Sequence, residues 1–226
     1  MKILNDFQIK NIDEEQVLRS YGHRGQLAPL REELREIILQ EIEEAHHLIH
    51  PMAVYDEIRV AQQPKNEIIL DNGLVIRAGS AISLWDGLDY LAIALCTIGP
   101  ELEERVNELF AKDEYPSALI LDSIGSIASE SAADHISYLS CARATSTNMK
   151  TGPRQSPGYG SWEIEDQATL FKLFPAYEIG VKLTENCAML PRKSVSFGVG
   201  IGQQLTEKAT GYHCRHCGKH NCQYRL

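Results

Sequence analysis

An Asn-Gly pair between two short apolar segments is the feature of this sequence that most constrains its fold. Asn72 and Gly73 separate Glu67–Leu70 from Leu74–Arg77. This pair is typical of the tight turn of a β-hairpin, because both residues accept a positive φ. A hairpin joins strands that run in opposite directions, so the sequence predicts an antiparallel sheet.

Apolar runs predict three further strands, which are Tyr55–Val60, Leu91–Ile98 and Ser194–Ile201. In the last of these, apolar side chains alternate with serine and glycine, as in a strand with two different faces. These segments provide the strands that the hairpin needs as partners.

Two long segments have the composition of helices. Pro29–His50 spaces its apolar residues three and four positions apart and is followed by Pro51, which cannot continue a helix. The second helix is predicted over Pro116–Arg143, and its middle, residues 125–133, consists almost wholly of small residues. Small side chains let another backbone or a ligand approach closely. Shorter helices are predicted for residues 13–20, 100–112 and 165–174.

Composition and charge restrict the possible functions. The 226 residues are 43% hydrophobic, which is enough for the core of one large domain, with or without a small appendage. The net charge of −9 argues against a nucleic-acid partner, whose phosphates would require lysine and arginine. No apolar run approaches the roughly 20 residues of a membrane span, and the N-terminal segment lacks the apolar stretch of a signal peptide. We therefore expect a cytoplasmic protein without a membrane or nucleic-acid partner.

Residues 144–161 are rich in glycine, proline, serine and threonine and predict a long loop, a type of segment that is often functional. Its segment RQSPGY runs from Arg154 to Tyr159. Pro157 fixes φ, and Gly158 permits a turn and a close approach to the backbone. Arg154 can bind a carboxylate through two N–H groups, and the ring of Tyr159 suits a cation. The loop is therefore either a ligand site or a surface turn with an exposed arginine.

The order of motifs around this loop resembles the activation domain of cobalamin-dependent methionine synthase. The pattern R-x-x-P-G-Y at Arg154 is followed by IGVKLTEN, residues 179–186, and then by Ser-Val-Ser, residues 194–196. That family has a comparable Arg-x-x-Pro-Gly-Tyr loop, a Gly-x-Lys-Leu-Thr-Glu segment and a Ser-Val-Ser strand in the same order. The resemblance is close over residues 154–196, and the N-terminal half resembles the stand-alone forms of the domain.

The resemblance implies an α+β fold, a twisted antiparallel sheet with flanking long helices. It implies binding of S-adenosylmethionine and docking over a cobalamin held by a partner chain, either a cobalamin-binding methionine synthase or another corrinoid protein. An electron donor such as a flavodoxin or a ferredoxin would reduce inactive cob(II)alamin, which S-adenosylmethionine then methylates.

The resemblance also implies roles for individual residues. Arg154 would hold the carboxylate of the ligand, the backbone of Ser156 would contact it next to Gly158, and Tyr159 would lie near the sulfonium. Glu130, on the small-residue helix, matches the position of an acid near the site of the family. No catalytic residue is implied, because the sulfonium itself activates the methyl group and the protein needs only to position it.

One position departs from the pattern of the family. An acid of the family lies six residues before the loop arginine, where this chain has Asn148. The ligand contact made by that acid is therefore not carried over to this chain.

The last 16 residues, GYHCRHCGKHNCQYRL, contain a cysteine pattern typical of metal binding. Cys214, Cys217 and Cys222 form C-x₂-C-x₄-C, in which a tight turn can bring two thiolates to one metal. With His216 they would complete a tetrahedral zinc site, whereas a more distant cysteine such as Cys187 would suit an iron–sulfur cluster. A tail without metal is the remaining interpretation.

These patterns predict two parts and leave three functions open. Residues 1–210 would form the domain that binds S-adenosylmethionine, and residues 211–226 a tail that binds metal. The chain would be a stand-alone reactivation module of cobalamin-dependent methionine synthase. The alternatives are an iron–sulfur accessory protein that reduces corrinoid proteins of other methyltransferase systems, and a non-catalytic module that binds S-adenosylmethionine.

Overall fold

The computed structural model describes residues 1–20 and 32–205, along which nine strands and five α-helices are found. The strands are β1 (Lys2–Asn5), β2 (Met52–Gln62), β3 (Ile68–Leu70), β4 (Val75–Ile76), β5 (Tyr90–Thr97), β6 (Lys150–Thr151), β7 (Lys182–Leu183), β8 (Met189–Leu190) and β9 (Ser194–Gly202). The helices are α1 (Glu14–Ser20), α2 (Glu32–Leu48), α3 (Glu101–Ala111), α4 (Tyr115–Ser146) and α5 (Gln167–Phe171).

Seven of these strands form one sheet in which every neighbouring pair is antiparallel. Their order is β4-β3-β2-β5-β9-β6, and β1 pairs with the first half of β2. The predicted hairpin is confirmed as the pair β3–β4, and Gly73 in its turn has a φ of +83°. The remaining strands, β7 and β8, form a separate hairpin just before β9.

The central strand β5 separates two apolar layers of the protein. Its odd-numbered residues from Leu91 to Leu95 face a core that contains Trp85 and Trp162. Its even-numbered residues from Ala92 to Cys96 face α4, which presents small residues such as Ala132. Because both surfaces are built from small side chains, the helix can lie close to the sheet.

The predicted small-residue helix is confirmed as α4, which has 32 residues and continues to Ser146, three residues beyond the prediction. Its N-terminal half packs with α1, α2 and α3 in a second core around Leu102 and Ile124. The predicted helix over Pro29–His50 corresponds to α2, and its first three positions lie outside the described residues. Thus α4 joins the helical layer to the sheet.

Two sequence predictions are wrong in part. Residues 144–161 are not one long loop, because α4 ends at Ser146 and residues 150–155 hydrogen-bond to the edge of β9. The helix predicted for residues 165–174 has an α-helical part of only five residues, α5, after a 3₁₀ turn at Ile164–Asp166. Pro175 contributes to this early end, since proline disfavours the helical conformation of the residue before it.

None of the helices in residues 1–20 and 32–205 has the length and apolarity needed to cross a membrane.

Candidate functional site

A cleft of about 540 Å³ lies between α4, the bend after β6 and the segment that leads into β9. Helix α4 contributes four side chains to its wall: Asp122, Ser126, Ser129 and Glu130. Ser126 lies four residues after Asp122, and Ser129 and Glu130 lie three and four residues after Ser126, so all four share one face of the helix. The cleft is therefore lined along α4 by polar groups only.

The bend that carries Arg154 is fixed by hydrogen bonds to buried groups on both sides. The indole Nε1 of Trp85 donates to the carbonyl of Pro153 at 2.9 Å. On the other side, Gln155 and Gly198 exchange two backbone hydrogen bonds of 2.9 and 2.8 Å. The guanidinium of Arg154 then lies 5.3 Å from the centre of the Phe197 ring, within the range of a cation–π contact.

Arg154 is paired with acids of α4. Its Nη2 lies 2.5 Å from Oε2 of Glu130 and 3.6 Å from Oδ1 of Asp134, and the Arg154 side chain is only 15% exposed. Its Nη1 is buried and has no hydrogen-bond partner within the described part of the chain. A buried donor without a partner is unfavourable, so this atom has capacity for an additional acceptor.

The Pro-Gly pair of the bend forms a turn that presents Tyr159. The N–H of Tyr159 donates to the carbonyl of Ser156 at 3.2 Å, and Gly158 between them has a φ of +84°. Proline followed by a residue with positive φ is the pattern of a type II turn. A side chain at Gly158 would also contact Ile164 Cδ1 at 3.0 Å, so both backbone and space favour glycine.

Tyr159 stands at the mouth of the cleft, where 69% of its side chain is exposed. Partial desolvation by its neighbours and the charge of Glu130 raise the pKa of its hydroxyl, and Arg154 acts in the opposite direction. At neutral pH the hydroxyl therefore keeps its proton and can donate a hydrogen bond.

The structure brings the sequence-predicted ligand residues together, with one difference in arrangement. Glu130, Ser156 and Tyr159 line the cleft, and Gly158 shapes the bend between the last two. Arg154 is not part of the wall but lies behind Glu130 and contacts it. The sequence assigned both residues to the ligand and did not predict that they bind each other.

The predicted metal ligands Cys214, Cys217, Cys222 and His216 lie outside the described residues. Cys187, the alternative fourth ligand, lines the cleft and has a φ of +58°. Within residues 1–20 and 32–205, no three side chains of His, Cys, Asp or Glu are grouped as a metal site.

Several polar residues of the cleft were missed by sequence reasoning. Gln167 is buried, donates from Nε2 to the carbonyl of Cys187 and accepts from the hydroxyl of Ser196. Lys193 enters the cleft from the other side, beside Asp122. The spacing of Asp122, Ser126 and Glu130 on α4 could have indicated a polar face, but nothing in the local sequence indicates where Lys193 points.

Asn148, the departure from the pattern of the family, follows the C-terminal end of α4. It has a φ of +58°, and its N–H donates to the carbonyl of Thr145 at 3.1 Å. Asparagine adopts this left-handed conformation more readily than most residues, which gives Asn148 a local structural role.

Fold and cleft together define an α+β domain whose open cleft carries charged and polar side chains on its α4 wall. The model of the family described as the vitamin B12-dependent methionine synthase activation domain matches residues 81–224, and the chain belongs to this family. The resemblance inferred from the loop motifs is thereby confirmed.

Solved structures support the fold. One of them is described as the crystal structure of the MetH reactivation domain bound to AdoHcy, and it matches with a TM-score of 0.68 at 16% sequence identity. The match covers 95% of this chain and 84% of that one, and it confirms the predicted α+β architecture. No curated protein matches the sequence.

Proposed function

We propose that this chain binds S-adenosylmethionine in the cleft and takes part in the reductive reactivation of a cobalamin-dependent methionine synthase whose cobalamin is held by a partner chain. Membership of the activation-domain family supports a role in the reaction of that enzyme. The observation that carries the ligand assignment is the largely buried side chain of Arg154 behind Glu130 of the cleft wall, which has an unfilled donor and two carboxylates beside it.

The charges of this cluster complement those of the proposed ligand. S-adenosylmethionine has a carboxylate, an ammonium and a sulfonium. Nη1 of Arg154 can donate to the carboxylate, while Glu130 and Asp134 supply negative charge for the two cationic groups. AdoHcy, which the solved relative binds, differs from S-adenosylmethionine by the missing methyl group and shares its carboxylate and ammonium.

The size of the cleft also suits such a ligand. Its volume of about 540 Å³ falls within the range of small-molecule sites, roughly 300–1,000 Å³. The floor of the cleft is polar, with Gln167, Ser194 and Ser196 all buried. A polar floor favours a ligand with many hydrogen-bonding groups over an apolar one.

The side chains of this site would act by positioning. The cobalamin of the partner supplies the cobalt centre that accepts the methyl group. Arg154 would fix the amino-acid end of the ligand, and Tyr159 at the mouth would shield the sulfonium and keep its methyl group directed outward. Nη1 is buried, so the side chains around Arg154 must adjust when the ligand carboxylate binds there, while Glu130 can keep its contact with Nη2.

This proposal predicts a large thermal stabilisation by the ligand. At a ligand concentration of 100 Kd, binding adds about 2.7 kcal/mol to the free energy of unfolding, which corresponds to a rise in Tm of about 5–10 °C for a chain of this length. Arg154→Ala should remove most of this rise, since it removes the carboxylate partner. Differential scanning fluorimetry with S-adenosylmethionine and S-adenosylhomocysteine measures both effects.

Arg59→Ala is the matched control, because Arg59 is exposed on β2 and does not line the cleft. It should leave the shift in Tm unchanged. A wild-type chain whose Tm does not change at millimolar ligand would contradict the proposal.

The cysteine tail is a separate part of the proposal. We place a zinc ion or an iron–sulfur cluster on Cys214, Cys217 and Cys222, with His216 or Cys187 as fourth ligand. Their spacing in the sequence supports this assignment. An iron–sulfur cluster would favour the redox-accessory alternative, with a flavodoxin or a ferredoxin as its electron source.

A further inference from the structure

The guanidinium of Arg154 is held by an aromatic ring as well as by acids. Its Nη2 contacts Glu130 and Asp134, whose side chains are 53% and 58% exposed. Its Cζ also lies 5.3 Å from the centre of the Phe197 ring, and Phe197 is buried in the sheet core. The exposed acids and the buried ring therefore favour different positions of the same side chain, one nearer to solvent and one nearer to the core.

The pairing of the bend with β9 brings Arg154 and Phe197 to the same face of the sheet. Gln155 and Gly198 form an antiparallel bridge with two backbone hydrogen bonds. In this register Arg154 stands opposite Val199 and diagonal to Phe197. Long and aromatic side chains can reach each other along such a diagonal, so the contact follows from the way the bend is attached to the strand.

Small residues around Phe197 make room for its ring between the sheet and the helix. Phe197 is paired with Ala94 of β5, and its core cluster also contains Ala132 and Ala133 of α4. A ring of this size has little freedom to move in a closely packed core. Phe197 is therefore a rigid support, whereas the long side chain of Arg154 can leave it by rotation about its own bonds.

The position of Arg154 on the ring determines the state of its Nη1 atom. In this position Nη1 is buried and has no partner among the described residues, so it is ready to donate to a ligand. If the guanidinium moved outward with the exposed acids, water would bind Nη1 and a carboxylate would have to displace it. When only a fraction of the molecules is competent to bind, the apparent Kd rises as that fraction falls.

We propose that Phe197 is a positioning residue for Arg154, whose guanidinium it holds by a cation–π contact in the position that leaves Nη1 available to the ligand carboxylate. This inference rests on the proposed function, which assigns the carboxylate to Arg154. The attraction between a cation and a ring is stronger where water is excluded, and only 15% of the Arg154 side chain is exposed. In the described part of the chain Phe197 is not among the residues that line the cleft, so it acts on the ligand through Arg154.

Fluorination of the Phe197 ring tests its charge distribution separately from its packing. Each fluorine atom withdraws electron density from the face of the ring and weakens its attraction for a cation, while the side chain keeps nearly the same shape. Mono-, di- and trifluorinated phenylalanine are incorporated in place of Phe197. Trifluorinated phenylalanine in place of Phe174 is the control, because Phe174 is buried in the other core of the sheet.

Two ligands are compared by isothermal titration calorimetry. The affinity for S-adenosylhomocysteine should fall at each step of the Phe197 series, and the trifluorinated ring should weaken it roughly fivefold. The affinity for 5′-methylthioadenosine, which lacks the amino-acid part, should stay unchanged, as should both affinities of the Phe174 control. A ring that served only for packing would not produce a graded loss confined to one ligand.

The same series in the Arg154→Ala chain is a double-mutant cycle that isolates the contact. Without the guanidinium the ring has no cation to attract, so fluorination should no longer change the remaining affinity for S-adenosylhomocysteine. A graded loss that persisted in Arg154→Ala would show that Phe197 acts in another way and would overturn the inference.

The wild-type chain alone provides a second measurement. In a crystal structure with S-adenosylhomocysteine, Cζ of Arg154 should remain within about 6 Å of the centre of the Phe197 ring, with Nη1 bonded to the ligand carboxylate. A guanidinium that left the ring on binding, or an affinity that did not change across the series, would overturn this inference and leave the proposed function intact. If the wild-type chain bound neither ligand, both would be overturned.

Discussion

Glu41 is a carboxylic acid that the helical layer buries almost completely. It lies on α2 with only 2% of its surface exposed, and its Oε2 has no partner within the described residues. Burial raises the pKa of this carboxyl, while a hydrogen bond with Ser117 and the charge of Arg105 lower it by less. A charged Glu41 is thus unfavourable in the folded state.

The sign of the resulting pH dependence follows from this shift. An acid whose pKa is higher in the folded than in the unfolded state binds its proton more tightly when folded. At low pH the carboxyl is protonated in both states, so its pKa shift does not lower the free energy of unfolding there. Stability is then lost as the pH rises from the unfolded-state pKa to the raised folded-state pKa. Glu41→Gln should therefore raise the free energy of unfolding at pH 8, by about 1 kcal/mol, the lower limit for a buried unpaired polar atom.

Urea denaturation of wild type and Glu41→Gln at pH 4 and pH 8 measures this effect. The gain should be present at pH 8 and become small at pH 4. Glu43→Gln, at an exposed position of the same helix, serves as the control and should show no such difference. A loss of stability in Glu41→Gln at pH 8 would mean that the charged carboxylate is stabilised by its neighbours.

The sequence singled out individual residues of the candidate site, but not the contacts between them. Arg154 and Tyr159 were recognisable because their residue types occur in a short motif with proline and glycine. The contact between Arg154 and Glu130 joins residues 24 positions apart, and that of Lys193 with Asp122 joins residues 71 positions apart. Such contacts depend on how β9 and α4 meet, which local patterns do not contain.

At the scale of elements, a glycine of β9 explains how the bend that carries Arg154 is kept in position. A Cβ atom at Gly200 would lie 2.5 Å from Cδ2 of Leu88 and 2.7 Å from Cδ1 of Trp85. The same indole donates the hydrogen bond to Pro153 that fixes the bend. The missing side chain of Gly200 therefore makes room for the tryptophan that supports Arg154.

Gly200→Ala should lower the free energy of unfolding by about 2 kcal/mol, because a buried tryptophan cannot move away without strain. Gly198→Ala is the matched comparison in the same strand, since its Cβ would lie 3.2 Å from the nearest Trp85 atom. Gly198→Ala should lower the free energy of unfolding clearly less than Gly200→Ala does. Thermal and chemical denaturation of both variants measure the difference, and an equal or reversed order would show that Trp85 is not the limiting contact.

Elements with strong local signals were predicted well, and weak ones were not. The turn at Asn72-Gly73 and the long helix α4 follow from turn chemistry and apolar content, which act over a few residues. Strand β6 has only two residues, Lys150 and Thr151, and its existence depends on pairing with the distant strand β9. A two-residue strand has no period to detect, so the sequence indicated only a loop.

At the scale of the whole molecule, α4 connects the helical core to the core that packs on the sheet, and the proposed binding function depends on this connection. Its first half belongs to the helical core and its second half to the sheet core, and its polar face lines one wall of the cleft. A ligand in the cleft would contact both α4 and the β9 side. Ligand binding is therefore expected to stabilise the chain as a unit, as the thermal-shift prediction requires.

The three functions left open by the sequence differ in which part of the chain they need. A reactivation module needs the cleft, a redox accessory protein needs the tail, and a binding module needs the cleft without any effect on cobalamin. These requirements can be separated because Arg154 lies in the cleft and Cys214 and Cys217 lie in the tail. One reconstituted assay with variants of each part can therefore distinguish them.

The assay mixes the chain with a cob(II)alamin-loaded partner, a reductant and S-adenosylmethionine and follows the corrin absorption spectrum. For a reactivation module, we expect conversion to methylcobalamin with the wild-type chain, at least tenfold slower conversion with Arg154→Ala, and near wild-type conversion with Arg59→Ala. Loss of reduction in the double variant Cys214→Ser/Cys217→Ser, with Arg154→Ala still active, would instead support the redox role. Iron and acid-labile sulfide in anaerobically purified protein must then be present, because a zinc-bound tail cannot transfer an electron. Ligand binding without any spectral change would leave the non-catalytic binding module as the function of the chain.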